Sequence, residues 1–269
     1  VEQNIANAKI LVDKVCNSEY ASIFRKVGND IWKEPDICNS KDLNLQFGII
    51  GIAIAAFENS EKVNGFSSKY DYYLKGKVKL TAREEQGLAL FNGKAKCANC
   101  HMADPDTKGT PPLFTDFTFD NLGIPANPQN PWYSMDATFN KEGANWSDPG
   151  LAEFLKEMPQ YAMLAEENFG KHQVPTLRNV DKRPSPEFVK CYGHNGYFKS
   201  LGEIVHFYNT RDVLPPAGKV SDPKPGINCW PEPEVGSNMN KDELGNLGLT
   251  ASEESAIVEF MKTLSDGYV

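Results

Sequence analysis

Near the middle of the chain Cys97, Cys100 and His101 stand in the spacing C-x-x-C-H, within "NGKAKCANCHMADP". Two thiols separated by two residues can both reach the vinyl edge of one porphyrin, and the adjacent imidazole then falls where it can coordinate the iron. The competing chemistries make different demands on the flanks. A redox C-x-x-C wants a βαβ setting, whereas here a helical pattern precedes the motif and a proline-rich stretch follows it. A four-ligand zinc site wants a second matched pair, and no other Cys–Cys or His–His pair in the chain has that spacing. The motif therefore reads as covalent attachment of heme c, with Cys97 and Cys100 as the thioethers and His101 as the proximal iron ligand.

Heme c is attached on the oxidising side of the bacterial inner membrane, which predicts a periplasmic or equivalent oxidising compartment. There, Cys16, Cys38, Cys191 and Cys229 are expected as disulfides rather than free thiols. Four cysteines allow three pairings, and nearness in sequence favours Cys16 with Cys38 and Cys191 with Cys229. The net charge of -8 repels nucleic acid and anionic membrane surfaces, and it attracts a small basic redox protein instead. The longest apolar run, Phe47 to Phe57, has 11 residues, where a bilayer span needs about 20. It reads as a buried helix rather than a membrane span. The chain opens on Val1 with no signal peptide, which predicts a processed or excised start.

Apolar periodicity predicts three helices in the first 60 residues, in "ANAKILVDKV", "EYASIFRKV" and "LNLQFGIIGIAIAAF". Capping boxes open three more: Thr81 with Glu84, Ser200 with Glu203, and Thr250 with Glu253. The stretch from Ala103 to Asn130 carries Pro105, Pro111, Pro112, Pro125 and Pro128 between aromatics. It predicts an ordered irregular loop able to cover a large flat ligand. Strand signals are sparse, so the fold class is all-α with long ordered loops. The organisation is a partial helical domain over 1–78, lacking a heme motif of its own, and a cytochrome c-like heme domain over 79–269.

On the helix opened by Ser200, a rotation of 100° per residue puts Leu201, Ile204, Val205 and Tyr208 on one buried side, with His206 nearly opposite and solvated or at an edge. Periodicity alone makes Tyr208 a core aromatic. Arg178, in "VPTLRN", either pairs with a heme propionate through its planar fork or fixes a loop, and the residues leave both readings open. His194 reads as a loop hydrogen-bonder and His172 has no partner pattern. Met102, Met135, Met158 and Met163 are thioether ligands in principle, but methionine more often fills cores.

The stretches "LTAREEQGLALFNGKAKCANCH", "PLFTDFTFDNLGIPANP", "VPTLRNV", "GHNGYFKSLGEIVHFYNTRDV" and "ELGNLGLTASEESAIVEFMKTL" follow one another in this order. Together the chain resembles the C-terminal heme domain, preceded by the end of the N-terminal domain, of the bacterial diheme cytochrome c peroxidase family, including its methylamine-utilisation maturase branch. The resemblance implies two cytochrome c-type domains with one heme each. The C-terminal heme would handle electrons and the N-terminal heme would meet hydrogen peroxide. It makes Tyr208 the sixth iron ligand, a position held by Met in the peroxidases and Tyr in the maturase branch. It maps Glu2 onto the distal acid-base residue of the first heme. That heme's own C-x-x-C-H is absent upstream of Cys97, so the resemblance implies the larger piece of a nicked diheme protein, a sequence without its N-terminal part, or a first heme carried by another fragment or subunit. The family's calcium ion falls near Val189 to Cys191, where its ligands are not assignable, and the maturase relay tryptophan is replaced by Ala95.

The function so implied is a c-type heme oxidoreductase of the diheme peroxidase type, in which this chain holds the electron-transfer heme and a cytochrome c or cupredoxin donates electrons. The alternatives are a monoheme electron-transfer or redox-sensing cytochrome without turnover, or a heme subunit of a larger multiheme complex.

Overall fold

The computed structural model describes residues 7–269, and the chain divides into two compact units between Phe66 and Ser67. Glu2 lies outside the described residues.

The first unit holds the three expected helices, α1 (Ala8–Cys16), α2 (Ala21–Trp32) and α3 (Leu43–Glu58). Asn7 and Asp42 cap α1 and α3 by accepting the backbone N–H groups of Ile10 and Leu45, which would otherwise lack partners. The small core consists of Val12, Val15, Phe24, Ile37, Ile49 and Ile50. A disulfide joins Cys16 at the end of α1 to Cys38. Gln46, buried, donates to the carbonyls of Ile37 and Cys38 and so ties α3 to the same turn.

The apolar run of α3 departs from expectation. Only Gln46, Ile49 and Ile50 of this helix are buried, while Phe47, Ile52, Ile54 and Phe57 stand about half exposed. The reason is geometric. An almost uniformly apolar helix has no polar face to turn outward, and α1 covers only one side of it.

The second unit is built on a crossed pair, α5 (Ala82–Asn92) and α8 (Ala251–Lys262). They approach so closely at Gly87 that a Cβ there would lie 2.0 Å from the Ala256 carbonyl oxygen, which requires glycine. Tyr70, Phe91, Phe114 and Phe260 pack around the crossing with ring centroids 5.2–6.4 Å apart, in tilted or edge-on arrangements favoured by the ring quadrupoles. Tyr70 belongs to α4 (Lys69–Leu74). Segment 67–78, grouped by sequence with the first domain, thus contributes to the core of the second unit. The remaining helices are α6 (Leu151–Glu157) and α7 (Leu201–Thr210), the latter also packed on α8.

All three expected capping boxes form, and a fourth links Ser68 to Asp71 at the start of α4. The strand content of the described residues is one antiparallel pair, β1 (Phe119–Asp120) with β2 (His172–Gln173), in which Asp120 faces His172. Cys191 and Cys229 are not bonded to each other. Cys191 is exposed and receives a hydrogen bond from Lys199, whereas Cys229 is fully buried beside Trp230. Nearness in sequence therefore misjudged this pair, because the chain between them places one thiol at the surface and the other in the core.

Candidate functional site

The second unit encloses a cavity of about 540 Å³ with a mostly apolar wall. Cys97, Cys100, His101 and Tyr208 all line it, together with Arg178. The sequence-predicted site residues of this unit are thus gathered in one place from α5's C-terminal loop, α7 and the Val174–Val180 wall.

Each group is held in a way that suits its role. A left-handed Lys96 (φ 56°) ends the loop after α5 and starts the short helical turn Cys97–Asn99, which presents both thiols to the cavity. Burial pushes the Cys97 thiol up to about 12, with a further push from Cys100. Burial and then Glu243, Asp116 and Asp120 push Cys100 up to about 11. Both sulfurs are therefore protonated at neutral pH and stay inert until they are joined to a partner.

The His101 imidazole meets the Phe114 carbonyl through Nδ1 at 2.7 Å. That bond fixes Nδ1 as the protonated nitrogen and leaves Nε2 as the ligand atom, the arrangement usual for metal-bound histidine. Burial holds this imidazole below the ordinary histidine value, against weaker upward pulls from the Phe114 carbonyl and Asp116. It is neutral near pH 7 and ready to coordinate. Phe114 has φ 55°, a left-handed conformation within the proline-rich loop that turns its carbonyl onto the ring.

Tyr208 projects from α7 on the same side as Leu201, Ile204 and Val205, as its helical angle predicts, and that side is the cavity wall rather than a closed core. Its hydroxyl is pushed well above the ordinary tyrosine value by burial first, then by Cys97, Cys100 and Asp120. Tyr208 and both thiols of the C-x-x-C-H motif line the same cavity. His206, on the opposite side of α7, is paired with Glu254 at 2.9 Å, away from the cavity lining.

Arg178 is the best-anchored residue of the wall. Its guanidinium is 7% exposed and meets the fully buried Asp71 carboxylate in a two-pronged contact of 2.6 and 3.2 Å. It also donates to the Pro112 carbonyl at 3.2 Å. This geometry is a loop-fixing one, tying Thr176–Val180 to α4 and to the proline-rich loop. In the Val189–Cys191 segment, Val189 is exposed and the Lys190 ammonium bonds the carbonyls of Asn179 and Lys182 at the cavity wall. Met102, Met135, Met158 and Met163 are absent from the lining, while Met261 of α8 is present in it.

Sequence reading missed His172 and His194 as wall residues. His172 stacks on His194 with ring centroids 3.8 Å apart. Burial and the neighbouring His194 lower the His172 value. The two lie 22 positions apart in sequence, and no local pattern signals their meeting.

The donor set fits a c-type heme: two sulfurs, a neutral imidazole with its Nδ1 fixed and the phenol oxygen of Tyr208 on α7 all border one cavity with a mostly apolar wall. No family model matches the chain. Among curated proteins it is similar to the methylamine utilization protein MauG of Paracoccus denitrificans (strain Pd 1222), 32% identical over 226 residues, covering 84% of this chain and 53% of that protein. It is also similar to the cytochrome-c peroxidase IdrP1 of Denitromonas iodatirespirans, 28% identical over 218 residues, covering 79% and 48%. Among solved structures, the diheme peroxidase BthA of Burkholderia thailandensis E264 shares the fold, with a TM-score of 0.71 at 24% identity over 98% of this chain and 60% of that one. The chain spans about half the length of the curated relatives it matches. With the C-x-x-C-H motif, the helical fold and this pattern of similarity in agreement, the chain belongs to the family of diheme cytochrome c peroxidases and MauG.

Proposed function

We propose that this chain carries one covalent heme c on Cys97 and Cys100, with His101 and Tyr208 as its axial ligands, and that it supplies the electron-handling half of a peroxidase-type oxidoreductase. The observation that carries this reading is the convergence of His101 and Tyr208, from separate segments, on the one cavity that the two thiols border. Heme iron in that position supplies one-electron exchange. The protein's part is to hold His101 in a single tautomer through Phe114, to keep water out with an apolar wall, and to close the iron with a phenol oxygen. An anionic oxygen favours oxidised iron more than a thioether does, so the potential should lie below that of a His/Met site.

A heme held by both His101 and Tyr208 would be suited to passing electrons and ill suited to binding peroxide. Reduction of hydrogen peroxide is therefore assigned to a second heme, outside residues 1–269, with Glu2 as its acid-base group. The exposed apolar side of α3 supports a heme-bearing partner segment next to the first unit. A periplasmic location and a small basic donor, a cytochrome c or cupredoxin, follow from the heme chemistry and the net charge of -8.

The test is the heme count of the native particle by pyridine hemochrome together with its intact mass, followed by turnover with hydrogen peroxide. Two hemes per particle, with loss of turnover on separation of the parts, support the proposal. One heme per particle and no companion polypeptide would refute the peroxidase reading in favour of a monoheme electron carrier.

A further inference from the structure

Two histidines that the heme reading leaves unused lie together at the edge of the cavity, beside a carboxylate. His172 is in β2 and His194 is in the turn after Tyr192; their rings are stacked with 7° between the planes. Ligand atoms of both rings and of Asp148 all lie within 4.8 Å of one another.

The three residues come from separate segments, and each segment is held in place. Gly150 follows Asp148 in a left-handed conformation (φ 55°) and bridges to Lys171, one residue before His172. A Cβ at 150 would lie 2.2 Å from the Lys171 carbonyl oxygen, so only glycine lets the Asp148 strap approach β2 this closely. Asp148 accepts the Gly150 N–H through Oδ1 at 2.9 Å.

Glu234 organises the group. Its carboxylate is 3% exposed and meets His194 Nε2 at 3.0 Å, while accepting from Asn195 Nδ2 at 2.9 Å, the Asp148 backbone N–H at 3.2 Å and the Tyr133 hydroxyl at 3.0 Å. A metal-bound histidine characteristically gives its other N–H to such a carboxylate. The Glu234 bond therefore leaves His194 Nδ1 as the nitrogen free to coordinate.

We propose that Asp148, His172 and His194 form a second metal site, for a divalent cation of the Zn²⁺ class, with Glu234 as the residue that orients His194. Two imidazoles and one carboxylate match borderline cations, with water in the fourth position, and do not match Ca²⁺ or Mg²⁺, which take all-oxygen shells. Metal–ligand bonds of about 2.0–2.2 Å require the three ligand atoms to draw closer. Parallel rings cannot both aim a lone pair at one ion, so binding tilts the two imidazoles out of their stack. The bound ion then ties the Asp148 strap to the cavity wall. None of its ligands belongs to the C-x-x-C-H motif or to α7, and His172 and His194 share the cavity wall with those residues.

The test is Zn²⁺ binding to the full native chain, by calorimetry and by metal content after dialysis, with Ca²⁺ as the competitor. One Zn²⁺ per chain, unaffected by excess Ca²⁺, is expected. Asp148→Asn and His172→Gln should each weaken binding by at least about 100-fold, and Glu234→Gln by about 10–100-fold with the stoichiometry kept. His206→Gln, remote from the site, should leave binding unchanged. Circular dichroism confirms that each variant is folded; should His172→Gln fail to fold, Asp148→Asn carries the test. The proposal is overturned if the parent chain binds no Zn²⁺, if Asp148→Asn binds it as tightly as the parent, or if Ca²⁺ displaces it. Zinc content and heme count are separate readouts, so a failure of the heme reading and a failure of this one are distinguished.

Discussion

The Asp71–Arg178 pair permits the sharpest energetic prediction. Asp71 is fully buried, and its carboxylate accepts from the Ser68 N–H at 2.9 Å, from the Ser68 hydroxyl at 2.6 Å, and from the Arg178 fork. Arg178→Met removes the only cation in the pair while leaving the buried carboxylate with its two serine bonds. An uncompensated buried charge costs about 3–5 kcal/mol. In a unit of roughly two hundred residues, that corresponds to a fall in Tm of about 6–20 °C. Adding Asp71→Asn to Arg178→Met removes the fully buried stranded charge and keeps an acceptor for the Ser68 N–H; Asp266 loses only its 3.4 Å contact with Arg178 and keeps its Ser67 and Asn179 donors, so the double variant should recover most of the loss. Thermal and urea unfolding of the parent, both single variants and the double variant close a thermodynamic cycle whose coupling should reach about 2–3 kcal/mol. If Arg178→Met lowers Tm by less than about 2 °C, or the double variant is no more stable than that single variant, the reasoning is refuted. Because Arg178 anchors the Val174–Val180 wall, the single variant should also loosen the cavity, read, if the proposed heme is bound there, as a broadened Soret band.

Three further predictions follow from other parts of the structure. Tyr208→Phe should alter the ferric absorption spectrum and raise the reduction potential, and a ferric spectrum identical to the parent's would exclude phenolate ligation. Reduction of the Cys16–Cys38 disulfide, whose cysteines are 22 residues apart, should destabilise the first unit by about 3 kcal/mol through loop entropy; hydrogen exchange should rise in residues 8–58 and not in α5 or α8. Glu234 is held down to about 2 by His194, Asn195 and the Asp148 N–H, which together outweigh an upward push from burial. A depressed carboxylate contributes stability that is present above its unfolded value near 4.5 and lost as pH falls toward about 2. Glu234→Gln should therefore flatten the stability profile between those two pH values, and a profile as steep as the parent's would contradict this assignment.

How much was legible in the sequence depended on the range of the interaction. Capping boxes, helical periodicity and the C-x-x-C-H spacing are local, so Thr81, Ser200 and Thr250 announced their helices, and Cys97, Cys100 and His101 announced themselves as one cluster. Tyr208 was legible only by resemblance. Its angle on α7 correctly put it beside Val205, but periodicity cannot distinguish a wall that faces a cavity from one that faces packed side chains. The apolar α3 misled for the opposite reason, since composition says that a helix can be buried and not whether enough partner surface covers it.

Long-range pairings were beyond any sequence window. The Arg178 fork closes on a residue 107 positions away, and the His194–Glu234 bond spans 40. The Cys191–Cys229 expectation failed because short sequence separation does not bring two side chains together. Sequence alone determined the helical class, the C-x-x-C-H cluster and the family likeness, because these are written in spacings of a few residues. Only the tertiary structure decided that Tyr208 faces the cavity, that Arg178 serves Asp71, and that Asp148, His172 and His194 meet, because each depends on where distant segments cross.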